Sequence, residues 1–173
     1  MVLGSASHLA AHIDQEDRLI THDVSITEVA PQQVMAIKMQ TSLATIGDDF
    51  GKGFGILAQG LARQDAVPTG APLTVYHSVI DAQTSGEIEI CIPVAEDVGE
   101  DNDVYGRVLE GGNMATSMHR GPYDQIGPVY ETVASWITEH GHEIVGPPRE
   151  VYLSDPQEVA PEDLLTRVEY PIG

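Results

Sequence analysis

The chain has 173 residues, enough for one domain whose core needs neither disulfides nor a metal to hold it. Against 27 acidic side chains stand 8 basic ones, a formal charge of -19 with His neutral, so nucleic-acid backbones and anionic lipid are repelled at long range. The single cysteine, Cys91, lies among Ile88, Ile90, Ile92 and Val94, so there is no disulfide framework, and no apolar stretch approaches the roughly 20 residues that span a bilayer.

The N-terminus also lacks the basic-then-apolar layout of a signal peptide, and a soluble, cytoplasmic protein is expected. The acidic excess is spread along the chain instead of forming a tail. It serves either as a solvated surface or as a long-range attraction for cationic ligands.

Residues 1–23 carry His8, His12, Asp14, Glu16 and Asp17 with a few apolar residues and read as an extension, too short for a helix-turn-helix module. From Val24 the pattern alternates as in strands, through Val24, Ile26 and Val29 and then Val34 to Met39 after the Pro31 turn. Phe50, Phe54, Leu57 and Leu61 follow at i, i+4, i+7 and i+11, one stripe of a helix. Gly51, Gly53 and Gly55 lower that helix's intrinsic stability, so packing must hold it. Pro68, Gly70 and Pro72 precede a strand over 73–80, and Gly86 opens a second over 87–94, paired as a hairpin.

After the acidic turn 96–103 the same order returns. Strands are predicted over 104–109 and 114–119. A helix follows with Ile126, Val129, Val133 and Ile137 in one stripe, Pro128 in its first turn and Gly141 at its end. Strands over 150–154 and 165–172 close the chain.

The two halves superimpose as text. Gly70-Ala-Pro-Leu-Thr-Val-Tyr76 answers to Gly146-Pro-Pro-Arg-Glu-Val-Tyr152, and Ile92-Pro93-Val94 to Tyr170-Pro171-Ile172. The expected fold is therefore α+β. A duplicated β-β-α-β-β unit with pseudo-two-fold symmetry forms an antiparallel sheet curved around a central groove, with two helices on its outer face. Its halves run over about 24–95 and 104–173, and neither buries enough surface alone. A ligand is expected in the groove between the halves.

Other motifs carry less. Gly51-Lys52-Gly53-Phe54-Gly55 lacks the spacing of a nucleotide loop. Asp101, Asp103 and Gly106 sit at calcium-loop positions, but Gly112 stands where the closing Glu belongs. His140 and His142 have no evident third ligand, and Cys91 has no adjacent activating base. No cofactor and no metal are expected.

The run Met114-Ala-Thr-Ser-Met-His119-Arg-Gly121-Pro122-Tyr123, followed by Tyr130, Trp136-Ile137, Gly141, Gly146-Pro147, Glu150-Val-Tyr152 and Asp155-Pro156, resembles the GyrI-like effector-binding domain over roughly residues 24–173. The resemblance implies a groove that binds lipophilic, often cationic, small molecules, in a domain found alone or fused to DNA-binding modules of drug-responsive transcription regulators. It also implies a Glu on the last strand, four residues before its Pro, and this chain has Arg167 there.

The first-half counterpart of Arg167 is Glu89, and the two are expected either to pair across the groove or to project to solvent. In the former case they would neutralise the site; alternatively Arg167 would welcome a carboxylate or phosphate. Glu169 shares a strand face with Arg167. Tyr76 and Tyr152 are the symmetric candidates for groove walls, with Tyr123 a further ligand contact or a packing element. Trp136 and His119 read as structural. Three functions remain open. They are binding of an amphipathic or lipophilic small molecule, hydrolysis of electrophiles with Glu89 as general base beside Tyr76 or Tyr152, and a gyrase-inhibitor type of protein interaction. Under each of them the chain is expected to be a monomer or homodimer.

Overall fold

A computed structural model describes residues 22–173; the expected extension lies almost wholly outside these residues. The strands are β1 (Ser25–Val29), β2 (Gln32–Thr41), β3 (Leu73–Tyr76), β4 (Gly86–Pro93), β5 (Tyr105–Leu109), β6 (Gly112–Arg120), β7 (Arg149–Tyr152) and β8 (Leu165–Pro171). The helices are α1 (Ile46–Arg63) and α2 (Gly127–Glu139). All eight strands form one antiparallel sheet in the order β1-β6-β8-β7-β3-β4-β2-β5.

That order shows how the duplication is assembled. The first strand of each half crosses over, β1 pairing with β6 of the second half and β5 with β2 of the first. The halves meet where β3 pairs with β7, and Thr74 stands directly opposite Glu150, its counterpart in the repeat. Symmetric backbone bonds confirm the axis there: Tyr76 N donates to Pro148 O and Tyr152 N to Pro72 O, both at 3.0 Å.

Both faces of the sheet are buried near its middle, which is why β2 reads Val34-Met35-Ala36-Ile37 without alternation. On one face Leu57 of α1 packs on Met35, Ile37, Ile88 and Ile90, and Val129, Val133 and Ile137 of α2 pack on Ala115, Val168 and Ile172. On the other face Val34, Ala36, Leu73, Val75, Cys91, Leu109 and Val151 form a separate cluster. The glycines of α1 have a use in this packing. A Cβ on Gly53 would stand 2.5 Å from Ile90 Cδ1, and one on Gly60 would stand 2.9 Å from Val104 Cγ2, so these two positions bring the helix close to the sheet and β5.

The α+β class, the duplication and the groove agree with the expectation, but the groove's position is corrected. It opens between α1 and α2, over the face of β3 and β7 that carries the helices, and not on the face opposite them. Four of the eight positions expected for β3 fall outside it. After His77 N bonds to Glu87 O, the chain turns at Asp81, whose carboxylate accepts from Gln83 N and Thr84 N at 2.8 Å each.

Candidate functional site

The groove encloses about 2080 Å³, well above the usual range of small-molecule sites. Its floor is the central pair β3 and β7. Strand alternation puts Thr74 and Tyr76 on the same face, and likewise Glu150 and Tyr152. Its walls come from the N-terminal half of α1 (Phe50, Phe54) and from the segment entering α2 (Tyr123, Ile126, Tyr130). Aromatic rings tile it continuously. Phe50 stacks with Phe54 at 6.2 Å between centroids, and Tyr152 meets Phe50 edge-on at 6.1 Å and Tyr123 at 5.8 Å.

At the floor lies Glu150, only 6 % exposed. Its Oε1 accepts a hydrogen bond from the Tyr130 hydroxyl at 2.7 Å, and its Oε2 accepts from Tyr76 at 3.0 Å and Tyr152 at 3.1 Å. The Tyr152 hydroxyl also stands 3.0 Å from Thr74 Oγ1. A phenol has one proton and a carboxylate has none, so Tyr152 serves Glu150 and the Thr74 hydroxyl supplies its own hydrogen.

Burial pushes the Glu150 carboxyl above its ordinary value, against the three phenols that favour its ionised form. Burial and the neighbouring carboxylate together raise Tyr76, Tyr130 and Tyr152, which stay protonated as donors. The groove lining includes Asp124, Glu131, Glu150 and Asp155 and, among the described residues, neither Lys nor Arg.

The expected site residues divide between the two faces of the sheet. Tyr76 and Tyr152 stand in the groove and bond to Glu150. Tyr123 is 39 % exposed at its wall. The His119-Arg-Gly-Pro-Tyr123 run fixes that position: His119 Nε2 donates to Pro122 O at 2.9 Å, and Gly121 takes φ +132, a value that suits glycine. Trp136 stacks on His140 at 4.0 Å between rings and packs against the cluster of Val129, Val133 and Ile137.

Glu89 and Arg167 lie on the face away from the helices, and the expected pairing between them is not formed. Glu89 is fully buried, accepts from the Tyr105 hydroxyl at 2.7 Å, and lies 2.8 Å from His77 Nε2 and 3.1 Å from Arg107 Nε. Arg167 Nε instead donates to Glu169 at 2.8 Å, the same-face neighbour that alternation expected. The pairing fails because positions 89 and 167 belong to strands on either side of the central β3 and β7 pair, and each finds a partner nearby. For the same reason Glu89 does not act together with the Tyr76 and Tyr152 hydroxyls, which point to the other face.

Glu150 is the residue that sequence reasoning missed. It stood inside the Glu-Val-Tyr match, and its even spacing from Tyr152 would have placed both on one face. Tyr130, one turn into α2, reaches it only in three dimensions.

The model of the GyrI-like small molecule binding domain matches residues 22–172. The chain belongs to the GyrI-like family. Solved structures of similar fold include the EcmrR C-terminal domain, at 17% identity and TM-score 0.80, covering 89% of this chain and 99% of that one. EcmrR is also known in a complex with DNA, where the match covers 90% of this GyrI-like chain at the same identity and TM-score. This chain spans 59% of the length of that EcmrR chain. SAV2435 bound to tetraphenylphosphonium aligns at 13% identity and TM-score 0.62, over 87% of this chain and 94% of that one. A hydrolase from Listeria innocua aligns at 13% identity and TM-score 0.64, over 87% and 91%. No curated protein matches the sequence. Among the described residues no helix is long and apolar enough to cross a membrane.

Proposed function

We propose that the groove binds a lipophilic organic monocation, held by its aromatic walls and by the Glu150 carboxylate, so that the protein senses or sequesters such molecules. One observation carries this reading: Glu150 is a buried carboxylate whose three hydrogen-bond partners among the described residues are all neutral phenols. A buried charge without a counter-charge is costly, and a ligand cation that reaches it offsets that cost. The rings of Phe50, Tyr123 and Tyr152 supply faces that attract a cation. The tetraphenylphosphonium complex of SAV2435 supports the same ligand class for a protein of this fold.

Isothermal calorimetry with tetraphenylphosphonium and its isosteric anion, tetraphenylborate, tests the reading. Saturable binding of the cation with no measurable binding of the anion is expected. Equal affinity for both, or tighter binding of the borate, would overturn it.

Hydrolysis is the second reading, now centred on Glu150, because a buried carboxyl with a raised pKa beside phenol donors is also what a general base requires. Turnover of an electrophilic ester that disappears in Glu150→Gln would favour it over binding alone.

A further inference from the structure

The face of the sheet away from the helices carries a second constellation that the groove does not use. At one level across β8, β7, β3 and β4 stand Glu169, Arg149, Val75 and Glu89, with Arg167 two residues before Glu169 and Arg107 beside Glu89. Three of the chain's six arginines thus gather on one face of a strongly acidic protein.

Their partners differ. Arg107 and Arg167 each lie beside a carboxylate, at 3.1 Å and 2.8 Å. Arg149 donates from Nη2 to a carbonyl, Glu110 O, at 2.9 Å. It is 8 % exposed, and its Nε is buried with no hydrogen-bond partner among the described residues. Burial lowers this guanidinium from its usual range, with Glu169 opposing the shift, and an arginine stays charged in a protein all the same.

A cavity of about 110 Å³ lies against this group, lined by Arg149, Arg167 and Glu169 together with Val29, Leu73 and Val151. It has room for several waters or a molecule of a few heavy atoms.

We propose that this cavity is a second binding site, for a short-chain monocarboxylate whose oxygens engage Arg149 and Arg167 and whose alkyl end lies on Val29, Leu73 and Val151. Two guanidiniums offer the planar forks that suit a carboxylate. The buried carboxylate of Glu169 beside them disfavours a dianion such as phosphate, and the apolar wall favours an alkyl group over further oxygens. The inference is independent of what the groove binds.

Thermal denaturation in increasing sodium propionate, against sodium chloride and sodium phosphate at matched ionic strength, tests it. Propionate is expected to raise the melting temperature saturably, beyond chloride and phosphate. The concentration giving half the effect should rise at least tenfold in Arg167→Gln, whose side chain is 36% exposed. The effect should vanish in Arg149→Met, which keeps the length of the buried stem. No difference between propionate and chloride, or the same propionate response in Arg167→Gln as in the wild type, would overturn the site. A stronger response to phosphate than to propionate would overturn the monocarboxylate.

Discussion

Glu150 and Arg149 are neighbours on a four-residue strand, and strand alternation sends them to opposite faces of the sheet. On the helix side the carboxylate sits among hydroxyls and aromatic rings with, among the described residues, no Lys or Arg lining the groove. On the far side arginines and glutamates alternate and largely satisfy one another. The first arrangement surrounds a buried carboxylate with neutral groups, and the second sets most of its charges in ion pairs. The pseudo-two-fold makes the contrast sharper. Glu150 stands where the first copy has Thr74, and Arg149 where it has Leu73, so the two copies differ in charge at both positions.

The contrast predicts its largest effect on binding at Glu150. Glu150→Gln keeps the shape and an acceptor for the phenols but removes the charge, and affinity for a lipophilic monocation should fall about 30-fold or more, roughly 2 kcal/mol or above. Fluorescence titration reads this directly, and affinity for a neutral ligand of similar shape should stay the same.

On the far face the expected effect falls on stability. Glu89→Gln leaves Arg107 and His77 without their shared carboxylate and should cost about 2–4 kcal/mol of unfolding free energy, less than a fully buried pair because both partners reach solvent. Chemical denaturation measures that loss. Cation affinity measured on the same variant should change far less than in Glu150→Gln, since the Glu150 carboxylate and its three phenols are untouched.

A smaller effect is expected from the phenols. Tyr130→Phe deletes one donor to the Glu150 carboxylate, a bond worth about 1–2 kcal/mol, and leaves the ring in place. Its expected signature is a Glu150 carboxyl raised further and cation affinity reduced several-fold at mildly acidic pH, where calorimetry should be run.

The mildest test is pH itself. Glu150 has a raised pKa in the folded chain, so its protonated form favours the fold. This contribution is complete below the unfolded value near 4.5 and is lost as pH rises through the raised folded value. Affinity for a permanent cation runs the opposite way and should rise over the same window. In Glu150→Gln both dependences should flatten.

Much of the fold was legible because it is written twice. The Gly-Pro turns, the Tyr76 and Tyr152 match and the two helical stripes set the element order and the symmetry axis. Phe50 and Phe54 were legible as a stripe, but both line the groove as well as packing on the core, and spacing cannot tell one apolar environment from another.

The position of the groove relative to the helices was not legible, since it depends on how the sheet curls. The key carboxylate was missed for a related reason. Matching on the last strand drew attention to position 167, whereas the three hydroxyls that define Glu150 come from β3, β7 and α2, and only folding brings them to one point.

The claim on which the rest stands is that the Glu150 charge awaits a cation. Carbon-13 NMR titration of the Glu150 carboxyl, with and without a saturating lipophilic monocation, addresses it most directly. In the free protein the carboxyl should titrate above the ordinary glutamate range, and the bound cation should bring its midpoint down. A midpoint that does not move when the cation binds would contradict the claim, because the ligand would then be held without engaging that charge.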